Sequence, residues 1–325
     1  MPSLSCTVEQ GIEEGIRLDR YAAEHLRILS RSQVKTRNLE ARLNGKQVKI
    51  SRLLKSGDKL DLSWQEAESS FLVPEDIPLE IIYEDDRVIV LNKAQGMVVH
   101  PGAGNHQGTL ANALLYRMTE KKNSNSTFPI PPSSLLTPQF LRPGIVHRLD
   151  KDTSGVIIAA FDDEAHAFLS AQFKERKLIK SYAALVYGCP KESSGCIDTL
   201  IARSKRNRKT FAVSKNEGRR SITRYKLVRS YGNYSLLLIR PKTGRTHQIR
   251  VHLKHLGNPI LGDPIYGSSA SSDQVFGKTN IRKATLMLHA KRLSIVLPGL
   301  LDPHTFRTPL PPRFKMFTNP GWRAE

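Results

Sequence analysis

The sequence predicts an α+β fold, a mixed sheet with flanking helices and loops, preceded by a small α/β unit. Three observations point to it. Short β-rich runs and helical patterns follow one another without strict β-α alternation, which argues against a doubly wound parallel sheet. Two strand pairs are joined by tight turns, as in antiparallel hairpins. The chain has 325 residues, as a soft prior about two domains, and the aperiodic stretch around Pro74 separates a short front piece from the rest.

In the front piece, Leu18, Tyr21, Ala22 and Leu26 recur at helical spacing. Ser30 is a good N-cap for a second helix over Arg31–Leu39. Asn44-Gly45 signals a tight turn before Lys46–Ile50. A turn at Ser56-Gly57-Asp58 leads into the alternating Lys59–Leu62. Beyond the linker, Leu79–Tyr83 and Val88–Leu91 read as strands around Glu84-Asp85-Asp86. Residues 119–139 are polar and Pro/Ser-rich, an exposed insertion. Val156–Ala160 reads as a buried strand. Asp162 can cap a helix to about Lys177, with Ala165, Phe168, Leu169, Gln172 and Phe173 on one face. Ser181–Tyr187 is β-rich, and Arg224–Arg229 and Tyr234–Arg240 bracket a turn at Tyr231-Gly232-Asn233. Thr246–Leu256 is helical in pattern and is ended by Gly257, Asn258 and Pro259. Residues 268–280, with their serine cluster, read as a second flexible loop.

Fifty Lys and Arg against thirty Asp and Glu give a formal charge of +20. Such an excess favours a polyanionic partner, nucleic acid first. It is concentrated in two blocks. Leu18–Lys55 carries ten cations and three acids, and Arg203–Lys226 ten cations and one acid, Glu217. The first thirty residues have no apolar core of signal-peptide length and carry Glu9, Glu13 and Glu14, against an import presequence. The apolar runs are too short to span a bilayer. Cys6, Cys189 and Cys196 include no CxxC pair, and a reducing, cytoplasmic compartment is the simplest expectation.

Several short matches do not carry the activity they imitate. GAGNHQG at 102–108 is not the dinucleotide-binding GxGxxG. Ser32–Lys35 and Lys242-Thr243-Gly244 imitate penicillin-binding enzymes, but no Ser-Asp-Asn element accompanies them. His247, His252 and His255 lack the spacing of a metal site. The informative stretch is RPGIVHRLDKDTSG at 142–155. Asp150 and Asp152 lie in a polar segment directly before an apolar strand, a placement that suits either turn residues or a carboxylate at the floor of a cleft.

The run HRLDKDTSG at 147–155 resembles the signature of the RluA/RluD-type RNA pseudouridine synthases. Further matches follow in order: Leu91-Asn92-Lys93 through Val99-His100-Pro101, Lys180-Ser181-Tyr182, the run KTGRTHQIRVHL at 242–253 through Gly257–Asp263, and Leu286–Ala290. The front piece resembles an S4 RNA-binding domain. The resemblance implies an S4-like domain at 1–65, a linker at 66–76, and at 77–325 a catalytic domain built on a mainly antiparallel sheet. The insertion at about 119–139 stands where the family has a shorter connection.

The implied activity isomerises uridine to pseudouridine in RNA, without metal or cofactor. Asp150 would be the essential carboxylate, acting at the ribose as nucleophile or as base. Arg245 would pair with it, since an adjacent guanidinium favours a charged carboxylate. Tyr182 would stack on the uracil and assist proton removal at C5. Arg148 would fill the space left by the everted base, with His147 and Leu288 also binding substrate. Large-subunit ribosomal RNA is the expected partner and transfer RNA the other, with no DNA or membrane partner; the sequence leaves the oligomeric state open, with a monomer favoured. The competing reading is a catalytically silent RNA-binding or ribosome-assembly protein on the same scaffold.

Overall fold

The structure, a computed structural model, describes residues 1–9, 11–12, 15–29, 33–34, 37–65, 72–102, 104–124, 144–208, 210–267 and 285–318. The chain divides into two compact units, Met1–Phe71 and Leu72–Glu325. No helix among the described residues is long and apolar enough to cross a membrane.

The first unit contains β1 (Ser3–Thr7), α1 (Leu18–Glu24), β2 (Glu40–Leu43), β3 (Lys46–Val48) and β4 (Lys59–Ser63). Its antiparallel sheet has the order β1-β4-β2-β3. Asn44 and Gly45 both take positive φ in the β2–β3 turn, where these two residues are tolerated best. The helical stripe buries Leu18, Tyr21 and Ala22 with Leu60 and Leu62 of β4. Of the helix expected over Arg31–Leu39, Gln33 and Val34 are helical, while Ser30, Arg31, Ser32, Lys35 and Thr36 lie outside the described residues.

The second unit is built on β5 (Ile81–Glu84), β6 (Val88–Lys93), β7 (Ser154–Ala160), β8 (Ile179–Tyr187), β9 (Ser194–Arg203), β10 (Phe211–Ser214), β11 (Arg219–Ser230), β12 (Tyr234–Pro241), β13 (Leu288–Val296) and β14 (Pro303–Arg307). Its helices are α2 (Leu110–Ser124), α3 (Asp163–Glu175), α4 (Gln248–His255) and α5 (Pro312–Thr318). The strand order is β10-β9-β11-β12-β8-β13-β7-β6-β5, with β14 on β13. Every pairing is antiparallel except β7 with β13. The fold is thus α+β with a mixed, mainly antiparallel sheet.

β7 is buried on both faces, which explains its unbroken apolar run. Val156, Ile158 and Ala160 pack with Ala165 and Leu169 of α3. Ile157 and Ala159 pack with Leu110 and Leu114 of α2. Asp162 caps α3 by accepting the Ala165 N–H at 2.7 Å. One residue of the predicted apolar face, Phe168, turns outward and is 39% exposed. A second difference concerns the polar insertion, because α2 runs on to Ser124 and Thr119–Ser124 are helical. The rest of that insertion, and the loop expected over 268–280, lie outside the described residues.

The sheet divides beside β7. β7 meets β13 only at Ser154–His289 and Gly155–Ala290. From Arg292 onward β13 pairs with β14 instead. The vacated edge of β7 is filled by the segment entering from Gly144. The Ala160 N–H donates to the Gly144 carbonyl at 2.8 Å, Ile145 bridges to Ala159, and the Ile158 N–H donates to His147 Nε2 at 3.1 Å. Two glycines allow this approach. A Cβ on Gly144 would strike the Ala160 carbonyl, and one on Gly155, at φ +116°, the Ala290 carbonyl.

Candidate active site

The loop carrying Asp150 leaves this wedge and re-enters the sheet at Ser154. Its backbone is pinned from β6 and the turn that follows. Lys93, 2% exposed, donates to the carbonyls of Ala94, Met97 and Lys151 at 2.8, 2.7 and 3.1 Å. The Gly96 N–H also reaches the Lys151 carbonyl, at 2.9 Å. The Gln95 amide donates to the carbonyls of Asp152 and Leu286 at 2.9 and 3.0 Å. Burial draws the Lys93 ammonium down to about 8 against the opposing pull of Asp152 and Asp150.

The Asp150 carboxylate faces a cavity of about 500 Å³. Its Oδ2 lies 3.4 Å from Arg250 Nη1 and 4.0 Å from His247 Nε2. Arg250 is fixed by a two-pronged pair with Asp263, at 2.8 and 2.7 Å. Asp263 in turn accepts the N–H groups of Ile265 and Tyr266 at 2.9 and 3.0 Å. His247 has φ +55° immediately before α4, an uncommon conformation for a residue with a Cβ. The Tyr266 hydroxyl accepts the Phe211 N–H at 2.9 Å and lies 2.9 Å from His247 Nδ1. The phenol thus ties the His247 ring to the backbone of β10 and leaves its Nε2 facing Asp150. Burial keeps His247 below its ordinary pKa, and Arg250 and Arg148 add to this against Asp150 and Asp263.

His147, Arg148, Asp150, Tyr182, Arg245 and Leu288, each marked by the sequence, all line this one cavity. Tyr182 stands on β8 opposite Ile239 and Ala290. Burial, and then the Asp150 charge, push its phenol well above the usual value, so it keeps its proton. His147 stacks on Phe173 with centroids 4.5 Å apart. Burial, aided by Lys180, draws its ring down to about 3, consistent with Nε2 acting as acceptor for Ile158. Arg148 is exposed.

One expected contact falls elsewhere. The cation paired with Asp150 is Arg250, not Arg245. Arg245 lies in the turn before α4, where the Gln248 side chain accepts its backbone N–H at 3.0 Å. Its Nε is buried without a partner among the described residues. Arg250, inside α4, is on the helix face turned to the Asp150 loop. Sequence reasoning gave no role to Arg250, His247, Asp263, Tyr266 or Lys93. All but Tyr266 sit within or at the end of the motif runs quoted above, so the signal was present without an indication of which side chains converge.

The comparisons with known proteins agree with this geometry. Residues 87–255 match the family model described as RNA pseudouridylate synthase. The chain is 41% identical over 96% of its length to the ribosomal large subunit pseudouridine synthase D of Borreliella burgdorferi, covering 92% of that protein. It is 38% identical to the protein of the same name in Zymomonas mobilis, covering 87% of each. Among solved structures, human RNA pseudouridylate synthase domain containing 1 superposes with a TM-score of 0.54 at 28% identity, covering 72% of this chain and 84% of that one. A mainly antiparallel sheet opened beside a buried-arginine carboxylate, with these matches over most of its length, places the chain in the RNA pseudouridylate synthase family.

Proposed function

We propose that this protein converts uridine to pseudouridine in large-subunit ribosomal RNA in the cytoplasm, with Asp150 acting on the ribose. The observation that carries the reading is the Asp150 carboxylate, held by Arg250 at 3.4 Å and open to a cavity shared with Tyr182. The substrate assignment rests on the names of the Borreliella and Zymomonas relatives. In the reaction the N1–C1′ bond breaks, the uracil turns over, a C5–C1′ bond forms, and the proton leaving C5 is balanced by one gained at N1. The atoms are conserved and no oxidant is needed.

The target nucleotide leaves its stack to reach the cavity, at a cost of a few kcal/mol. Arg148, at the mouth, fills the gap it leaves. Leu288 and Tyr182 form walls for the base. The Tyr182 ring stacks on the uracil, and its hydroxyl assists proton removal at C5. Arg250 supplies the counter-charge, and His247 aims the second carboxylate contact. The N-terminal unit is read as an S4-like module whose cations hold phosphates.

The test is tritium release from 5-tritiated uridine in ribosomal RNA. Asp150→Asn is expected to bind RNA as the wild type does and to release no tritium. Wild-type release at background would overturn the reading in favour of a silent RNA-binding protein.

A further inference from the structure

Arg224 of β11 stands directly opposite Arg240 of β12. Side chains so paired share a face with Cβ atoms about 5 Å apart, and like charges there repel. The line continues across the sheet. The β12–β8 ladder ends at Ile239 and Tyr182, one step short of Arg240 and Ser181, which extend the same row. Ser181 is opposite Arg292 of β13, and Arg292 is opposite Arg307 of β14. Arg224, Arg240, Arg292 and Arg307 therefore lie on one transverse line over five strands, about 20 Å long at about 4.8 Å per strand.

The neighbours of these residues fix which face this is. Thr223, beside Arg224, accepts from the Gln248 side chain of α4 at 2.9 Å. Tyr182, beside Ser181, lines the cavity. The arginine line is on the other face. Arg224, Arg240 and Arg307 are exposed, and the half-buried Arg292 has an Nε without a partner. None of the four forms an ion pair among the described residues. Asp198, on the same face, is already engaged by Arg220 at 2.7 Å. Three of the four come from outside the Arg203–Lys226 block, so only the folded sheet assembles them.

Two pairs of guanidinium forks flanking Ser181, without intervening acids, match phosphates along a nucleic-acid strand. An acidic protein surface, with scattered carboxylates, matches them less well. We propose that this arginine line is a second RNA track, holding the backbone of a long substrate on the sheet face turned away from the cavity. It rests on the reading that RNA is the substrate.

The test compares two probes, a short uridine hairpin that reaches only the cavity and a long transcript of large-subunit ribosomal RNA. For Arg224→Gln/Arg240→Gln, affinity for the transcript at low salt should fall about tenfold, and the slope of log K against log salt should shrink by about 1.5 for two lost phosphates. Hairpin binding and turnover should stay at wild-type values, which also shows that the variant is folded. The exposed Cys196, opposite Arg224 on β9, gives a positional check. A photocrosslinker on its thiol, with Cys6 and Cys189 changed to Ser, should capture the transcript. An unchanged slope with no crosslink overturns the proposal and leaves the line to an acidic protein partner. Equal losses on both probes also overturn it. Both readouts are of binding, so a wild type that fails to isomerise uridine counts against the catalytic reading alone.

Discussion

Arg250 serves two carboxylates, whereas Arg245 serves none. Removing Arg250 leaves Asp263, whose side chain is 0% exposed, with two backbone N–H groups and no counter-charge. Breaking a buried pair costs about 3–5 kcal/mol, and the remaining bonds place Arg250→Met near the lower figure, with turnover lost as well. Arg245→Met should change unfolding free energy by less than about 1 kcal/mol. Denaturant titration of the two variants reads the difference. His247 can be tested separately because Asn tolerates the left-handed backbone it occupies. His247→Asn should fold normally and lower kcat about tenfold with KM unchanged, as a misaimed carboxylate does; a change confined to KM would make the ring a binding contact instead. These distinctions could not be read from the run KTGRTHQIRVHL. Two arginines five positions apart are equivalent until the start of α4 fixes the helical phase, and that start depends on the turn at His247.

Elements with local signals were the most readable. The hairpin at Tyr231–Asn233, the Asp162 cap and the Asn44-Gly45 turn are each specified by neighbouring residues, and the fold contains all three. The continuation of α2 was not, because Thr119–Ser124 is polar throughout and carries no apolar stripe, while the helix it prolongs is anchored earlier by Leu110 and Leu114. The division of the sheet was invisible too, since it arises from contacts between segments far apart in sequence. Gly155 reports on it. Gly155→Ala meets both a positive φ and the Ala290 carbonyl and should cost about 3 kcal/mol or more. Gly257→Ala, at φ +89° in open space, should cost about 1 kcal/mol. Thermal unfolding of both variants checks this, and equal losses would mean the β7–β13 junction is slack.

For the whole molecule, function was more readable than architecture because HRLDKDTSG is contiguous while the sheet order is not. Acid sensitivity follows from the buried histidines. His252 and His289 are 0% and 1% exposed, and burial draws each ring down to about 4, with nearby positive groups adding to this. Their folded pKa is below the unfolded value, so the unfolded chain binds more protons between about pH 4 and 6.5. Stability therefore rises with pH across that window and is lost as pH falls. At pH 5 each ring should account for about 2 kcal/mol of loss relative to pH 7. Urea midpoints at the two pH values measure it, and His252→Gln/His289→Gln should flatten the dependence.

The wedge of Gly144–His147 against β7 has one further consequence. The gap in the sheet is propped open mainly by main chain, through the Gly144 carbonyl and the Ile145 bridge. Substitutions along the cavity walls can alter which nucleotide fits without letting the strands zip together. The recess is thus a property of the fold's path, and its lining is free to diversify around it.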